Sequence, residues 1–247
     1  MNYYSRYVRS ILGSGEPASP RGLPVRQKLN QSFTTISGIT YRREKDNPLI
    51  GFMEGLQFIA GVGDLDQIAR VAPKAKLDLF TGQSIYGPRA GSQPAEVIEE
   101  LLADRNSRRA VIILGKPGEA LADRPCTTSL QYQIIDNKLE TIVSMRSSDA
   151  VYGLPYDLTQ FGMMSQMIAR CVDVLLGKLT INIGNAHIYD STAHLATGYR
   201  PWAFRLPEIR SYKHWVAWAE IKIQLLSMKM AEEDLDFHEE TSEGLWI

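Results

Sequence analysis

Arg124-Pro125-Cys126-Thr127-Thr128 opens the stretch whose reading decides the fold. Two runs rich in β-branched and apolar residues follow, 129–135 and 139–145, joined through Asp136-Asn137-Lys138. Those turn residues read as a hairpin. The second run ends in Met145-Arg146-Ser147-Ser148-Asp149, and Gly153-Leu154-Pro155-Tyr156-Asp157 leads into a helical run at 158–175. A thiol, an arginine and two aspartates thus fall close together on a sheet-and-helix scaffold. Taken alone, Cys126 reads more readily as a small buried hydrophobe than as a nucleophile. Arg146 on the adjacent strand argues the other way, because a neighbouring cation favours the thiolate. Asp157 stands where a helix begins, so capping free N–H groups is its plainest role.

Upstream, Asn106-Ser107-Arg108-Arg109 leads into 110–114, a continuous apolar run that reads as a buried strand. The arginine pair is either a solvated surface pair or an anion site, since guanidinium suits phosphate geometry. The helix beginning at Asn47-Pro48 is apolar nearly all round, hence buried, and Glu54 sits in its middle. A buried carboxylate is rare without a partner or a task, so Glu54 is either half of an ion pair or a proton-handling group. Gly61 and Gly63 end that helix. Residues 31–41 read as one strand, 3–12 as a short helix, and 94–104 as an amphipathic helix. Tyr86-Gly87-Pro88-Arg89 reads as a turn, and Arg21 lies in a Gly-, Ser- and Pro-rich loop at 13–24.

Downstream, a strand at 179–183 leads to His187-Ile188-Tyr189. Two rings spaced two apart share a face of an extended segment. They are either partly buried polar rings or a pair of donors for a sugar hydroxyl. A short helix at 191–197, a strand at 203–207 and a helix at 212–232 complete the pattern, before an acidic stretch at 233–244.

With 247 residues, 44% of them hydrophobic, the chain suits a single α+β domain over 1–247. Segments 1–20 and 233–247 are expected to be peripheral or mobile. A net charge of −1 gives no basic face, which argues against binding polymeric nucleic acid through its phosphates. Two cysteines are too few for a disulfide framework and no Cys/His cluster has metal spacing, so no metal is expected. The N-terminus does not read as a signal peptide, and no apolar run approaches the roughly 18 residues of a membrane span. A cytoplasmic protein away from membranes fits best, in a host cytoplasm if the gene is viral.

Together the motifs resemble the thymidylate synthase family, most strongly from Asn106 to Tyr189 and more weakly from Arg21 to Gly87. The resemblance implies a large mixed β-sheet covered by helices, paired sheet to sheet in a homodimer. It implies that Cys126 adds to C6 of a pyrimidine nucleotide, which makes C5 nucleophilic toward the one-carbon unit of 5,10-methylenetetrahydrofolate, the co-substrate. Arg146 would bind phosphate and favour the Cys126 thiolate, with Ser147 and Arg21 also on the phosphate. Arg108 and Arg109 would reach the phosphate site of the partner. His187 and Tyr189 would bind the sugar 3′-hydroxyl. Glu54 would manage waters and protons, and Asp149 and Tyr86 would stand beside the folate.

Three departures bear on substrate and product. The family's synthases have asparagine where this chain has Asp157. An ionised carboxylate only accepts hydrogen bonds, so it cannot serve uracil O4 but can accept from the cytosine amino group. An unmatched buried acceptor would disfavour uracil by roughly 1–3 kcal/mol. Thr127 replaces the histidine that usually follows the cysteine. Both changes resemble the cytidylate hydroxymethylase branch. Pro88 replaces a tryptophan that helps keep water out, which favours water over hydride as the group completing the product, although Trp246 could supply a substitute shield. The expectation is therefore a deoxycytidylate 5-hydroxymethyltransferase taking dCMP and folate, of the kind that supplies modified cytosine for DNA. A dCMP methyltransferase, a CMP hydroxymethylase, a thymidylate synthase, and a non-catalytic nucleotide- or RNA-binding relative are the alternatives.

Overall fold

In the computed structural model, which describes residues 2–71 and 85–228, the central stretch forms the expected hairpin. The strands in chain order are β1 (Glu16–Ala18), β2 (Val25–Ile36), β3 (Ile39–Arg42), β4 (Val111–Ile113), β5 (Thr127–Ile135), β6 (Lys138–Met145), β7 (Ser148–Asp149), β8 (Leu175–Tyr189) and β9 (Arg200–Ala203). Asp136 and Asn137 both take positive φ, 49° and 58°, which joins β5 to β6 without splaying them. The large sheet runs β1-β2-β8-β6-β5-β4, with β7 also on β8. Its β6–β8 and β7–β8 pairings are parallel and the others antiparallel, so the sheet is mixed.

Parallel pairing on β8 is what assembles the site. Met145 pairs with Ile183 and Ser148 with Ala186, so β6 and β7 follow β8 in one register, with Arg146 and Ser147 between them. Parallel neighbours need a long crossover, and the helix Gly153–Cys171 supplies it. Its interior residues are buried between the sheet and the helix Leu49–Ala60. Ile50, Phe52, Met53, Leu56, Phe58 and Ile59 are all buried on that second helix, and each such side chain contributes roughly 1.5–3 kcal/mol relative to exposure. The two helices approach closely at glycine. A Cβ on Gly51 would lie 2.9 Å from Thr159 Cβ, and one on Gly55 would lie 2.3 Å from Met163 Sδ. The close approach brings Glu54 to the helix turn that carries Asp157.

Several expectations are corrected. The single strand expected at 31–41 is two strands in different sheets, because Gly38 turns the chain at φ 91°. β3 then pairs with β9, which begins earlier than the strand expected at 203–207. The strand expected at 179–183 extends over 15 residues and carries His187 and Tyr189 within it. Tyr86 precedes a short helical turn, Gly87–Ala90. The N-terminal segment is not peripheral over its helix, Tyr3–Ser14: Tyr4, Tyr7, Val8 and Ile11 are buried in the core. Tyr4 donates its hydroxyl to the Ala150 carbonyl at 2.7 Å, which ties that helix to the segment after β7. The C-terminal helix is described over Tyr212–Ser227. The acidic stretch, the 233–247 tail and Trp246 lie outside the described residues.

Candidate active site

A cavity of about 800 Å³ opens where the ends of β5, β6, β7 and β8 meet the helices 49–60 and 153–171. Cys126 lines it just ahead of β5. The β5–β6 register shifts between Thr127 and Ser129, a bulge of the kind that re-aims side chains next to sites. The Cys126 carbonyl accepts the Arg146 backbone N–H at 2.8 Å. The Arg146 guanidinium is held from behind, with Nε donating to the Pro125 carbonyl at 3.1 Å and Nη2 to the Arg124 carbonyl at 3.0 Å. Burial pushes the Cys126 thiol up. Arg146 and Arg21 pull it down and Asp157 adds to the rise. Arg146 thus acts in the expected direction, but burial outweighs it.

Arg21, Ser147, His187 and Tyr189 line the same cavity. Arg21 holds a left-handed backbone, φ 53°, which is uncommon for a residue with a side chain. His187 and Tyr189 share one face of β8 as the spacing implied, their rings edge to face at 5.1 Å. Ser147 Oγ lies 3.3 Å from His187 Nδ1. Burial lowers the His187 ring and Asp149 raises it. Asp149 also lines the cavity and accepts the Val151 backbone N–H at 2.8 Å. Burial raises its carboxyl, and His187 counters.

Arg108 and Arg109 do not line this cavity. Both are exposed, and Arg109 is paired with Glu100 at 2.8 Å.

Glu54, Tyr86 and Asp157 belong to the buried part of the wall. Asp157 is not a helix cap. It is the fifth residue of its helix, whose N-cap position is Tyr152. Burial raises the Asp157 carboxyl to about 7, opposed chiefly by the Gln160 amide, whose Nε2 donates to Oδ1 at 3.1 Å. Glu54 is pushed well up, by burial first and then by Asp157, and its Oε2 has no hydrogen-bond partner among the described residues. Tyr86 accepts a hydrogen bond from Thr127 Oγ1 at 2.9 Å and stacks on Phe161 at 6.0 Å. Burial drives its phenol up. Pro88 lines a separate small recess with Gly63 and Ile85.

Sequence reasoning missed several lining residues, among them the polar side chains of Gln160, Gln27 and Asn185. Gln160 follows Asp157 by one helical turn, and the i,i+3 rule could have found it. Gln27 accepts from Asn185 Nδ2 at 2.8 Å, across a β2–β8 pairing that local patterns do not reveal. Chemically, the cavity joins a thiol to a cationic, hydroxyl-bearing end and to a buried end with two proton-accepting carboxyls.

The family model described as thymidylate synthase matches residues 67–210, more than half of the chain. The chain belongs to the thymidylate synthase family. A thymidylate synthase of Listeria monocytogenes serotype 4a is 30% identical over 190 residues, 76% of this chain and 56% of that protein. One from serotype 4b of the same species is 25% identical over the same shares. The thymidylate synthase of Francisella philomiragia is 30% identical over 127 residues, 45% of this chain and 44% of that protein. The chain spans about half the length of these relatives. The family's mixed sheet with flanking helices agrees with the fold described above. Among the described residues, no group of three or more His, Cys, Asp or Glu is placed to hold a metal ion. No described helix is long and apolar enough to cross a membrane.

Proposed function

We propose that this thymidylate synthase family member transfers a one-carbon unit from 5,10-methylenetetrahydrofolate to C5 of dCMP, giving the 5-hydroxymethyl nucleotide. The observation that carries the reading is Asp157, a buried carboxyl that lines the same cavity as Cys126. Arg146, Ser147 and Arg21 suit the nucleotide phosphate, and His187 and Tyr189 suit the sugar. The folate, when bound, supplies the one-carbon unit. The cavity has room for a flat heteroaromatic ring beside the nucleotide, and the unpartnered Oε2 of Glu54 offers a buried polar contact.

Cys126 loses its proton and its sulfur bonds C6, which moves the C5=C6 electron pair toward C5. C5 then bonds the one-carbon unit; loss of the C5 proton expels tetrahydrofolate as the leaving group and would leave an exocyclic methylene at C5. Expulsion of Cys126 restores the ring after water has added to the exocyclic carbon. Splitting the substitution this way avoids direct attack by an aromatic carbon. Asp157 would stabilise the adduct by accepting from the amino group and from protonated N3. Glu54 would relay protons through water, a task that fits its raised affinity for a proton. Arg108 and Arg109 are exposed. Exposure is what a residue reaching the phosphate site of a second copy needs, so a sheet-to-sheet homodimer belongs to the proposal.

A second reading has a specific support. A neutral carboxyl has one donor and one acceptor, as an asparagine amide does. Asp157 titrating near 7 can therefore serve uracil O4 and N3–H when protonated. Thymidylate synthesis from dUMP would then appear on the acid side.

Tritium release from C5-labelled dCMP and dUMP, with methylenetetrahydrofolate present, tests the base preference. Release from dUMP alone at pH 8 sinks the cytosine reading. The product mass identifies the new group, and a rise near 340 nm from dihydrofolate would indicate methyl rather than hydroxymethyl.

A further inference from the structure

Gln160 is buried at 2% exposure and lines the cavity one helical turn beyond Asp157. Its Nε2 donates to Asp157 Oδ1 at 3.1 Å, while its Oε1 is buried with no hydrogen-bond partner among the described residues. An unpaired buried acceptor is costly to keep. The facing helix comes close to the Gln160 backbone, since a Cβ on Gly55 would lie 3.3 Å from Gln160 Cα.

We propose that Gln160 is a specificity-positioning residue: it occupies Oδ1 of Asp157 so that Oδ2 is the oxygen left to read the amino group of a bound pyrimidine. The inference rests on the functional reading above and deepens it. Oδ2 lies on the Gly153 side of the carboxyl. A Cβ on Gly153 would meet Oδ2 of Asp157 at 3.8 Å and Cβ of Asp149 at 3.7 Å, and all three residues line the cavity.

Two consequences follow from amide chemistry. Donation to Oδ1 favours the ionised carboxyl, the form that refuses uracil O4. The orphan Oε1 gives the same amide a second use. Turned by half a rotation, it accepts from Oδ1–H when Asp157 is protonated. One side chain thereby orients Asp157 in either proton state, which an apolar residue could not do. The titratable groups that face Asp157 are Glu54 from the opposite helix, Asp149 from β7, Cys126 ahead of β5 and the Tyr86 and Tyr4 phenols, and the Ser148 hydroxyl of β7 also opposes the rise of its carboxyl. Among the described residues, Gln160 is the side chain in hydrogen-bond geometry with Oδ1.

The test compares wild type with Gln160→Leu and Gln160→Glu. The dCMP-to-dUMP ratio of kcat/KM is measured from pH 5 to 9, and its midpoint reports the Asp157 proton. Wild type should switch near 7. Gln160→Leu should move the midpoint up by about one pH unit, the size of one lost hydrogen bond to a charge. Gln160→Glu, which adds a like charge, should move it further. In an Asp157→Asn background neither change should move any midpoint. Unchanged midpoints in both single variants overturn the proposal. Should the leucine variant not fold, the polar glutamate variant carries the test. Carbon-13 NMR of aspartate-labelled protein, with Asp157→Asn for assignment, follows the same titration without turnover. If wild type released tritium from neither nucleotide, the functional reading would fail while the NMR shift still judged Gln160.

Discussion

At one end of the cavity, Arg21, Arg146 and Ser147 stand on a loop and at strand ends. At the other, Glu54, Asp157 and Gln160 sit on two closely packed helices. The cationic end is held by backbone carbonyls of 124 and 125, and solvent reaches it. The helical end is almost dry, and its carboxyls hold protons far above the ordinary carboxylate range. A phosphate stays ionised, so charge and donor geometry suffice to bind it. A base is neutral and is read by donor and acceptor pattern, which depends on the proton state of the reader. Under the proposed function, burial that would be wasted on a phosphate site is what would let Asp157 discriminate between bases.

The difference can be broken at the junction of the two ends. Cys126→Ala should reduce C5 tritium release to background, a loss of about 10⁴-fold or more. Nucleotide binding, followed by calorimetry, should survive, because neither end is removed. At the cationic end, Arg146→Ala should raise KM for either nucleotide roughly 10- to 100-fold. The base preference should stay unchanged, and a changed preference would show that the ends are not separable.

At the buried end, Asp157→Asn should swing the dCMP-to-dUMP ratio toward dUMP by roughly 10- to 100-fold with little change in phosphate affinity. The same variant tests the linkage. The folded Asp157 binds its proton more tightly than an unfolded one, about 7 against 3.8. Its contribution to stability is therefore fully present below about pH 4 and lost as pH rises through 7, an effect on the order of 4 kcal/mol. Chemical denaturation at pH 5 and pH 8 should show wild type less stable at pH 8, and Asp157→Asn less dependent on pH. The smallest effect concerns the helix contact. Gly51→Ala would push on the β-branched Thr159 and should cost about 1–3 kcal/mol in thermal unfolding. It should also lower turnover more than nucleotide affinity, because it moves Glu54 relative to Asp157.

Much of this arrangement was legible in the chain. The hairpin turn is written in Asp136-Asn137, and the buried helix around Glu54 in an unbroken apolar surface. The cysteine, the arginines and the His187-Ile188-Tyr189 segment form a family signature. The N-terminal helix was misjudged because its short, mixed Tyr and Arg composition hides a buried face. That face exists only once Tyr4 meets Phe33, Tyr41 and Tyr199. The strand expected at 31–41 failed for a similar reason. Only Ser37 and Gly38 separate two runs of like propensity, and they belong to different sheets.

The amino-acid sequence by itself determined the inventory: a thiol ahead of a hairpin, arginines before and after it, and an aspartate closing Gly153-Leu154-Pro155-Tyr156-Asp157. Those are covalent facts, carried by residue type and spacing. Only the tertiary structure decided that Asp157 is no helix cap and titrates near 7, that Gln160 holds its Oδ1, and that Arg146 does not outweigh the burial of Cys126. Desolvation and hydrogen bonding are sums over neighbours, and here the neighbours come from β5, β7 and two helices that lie far apart in the chain.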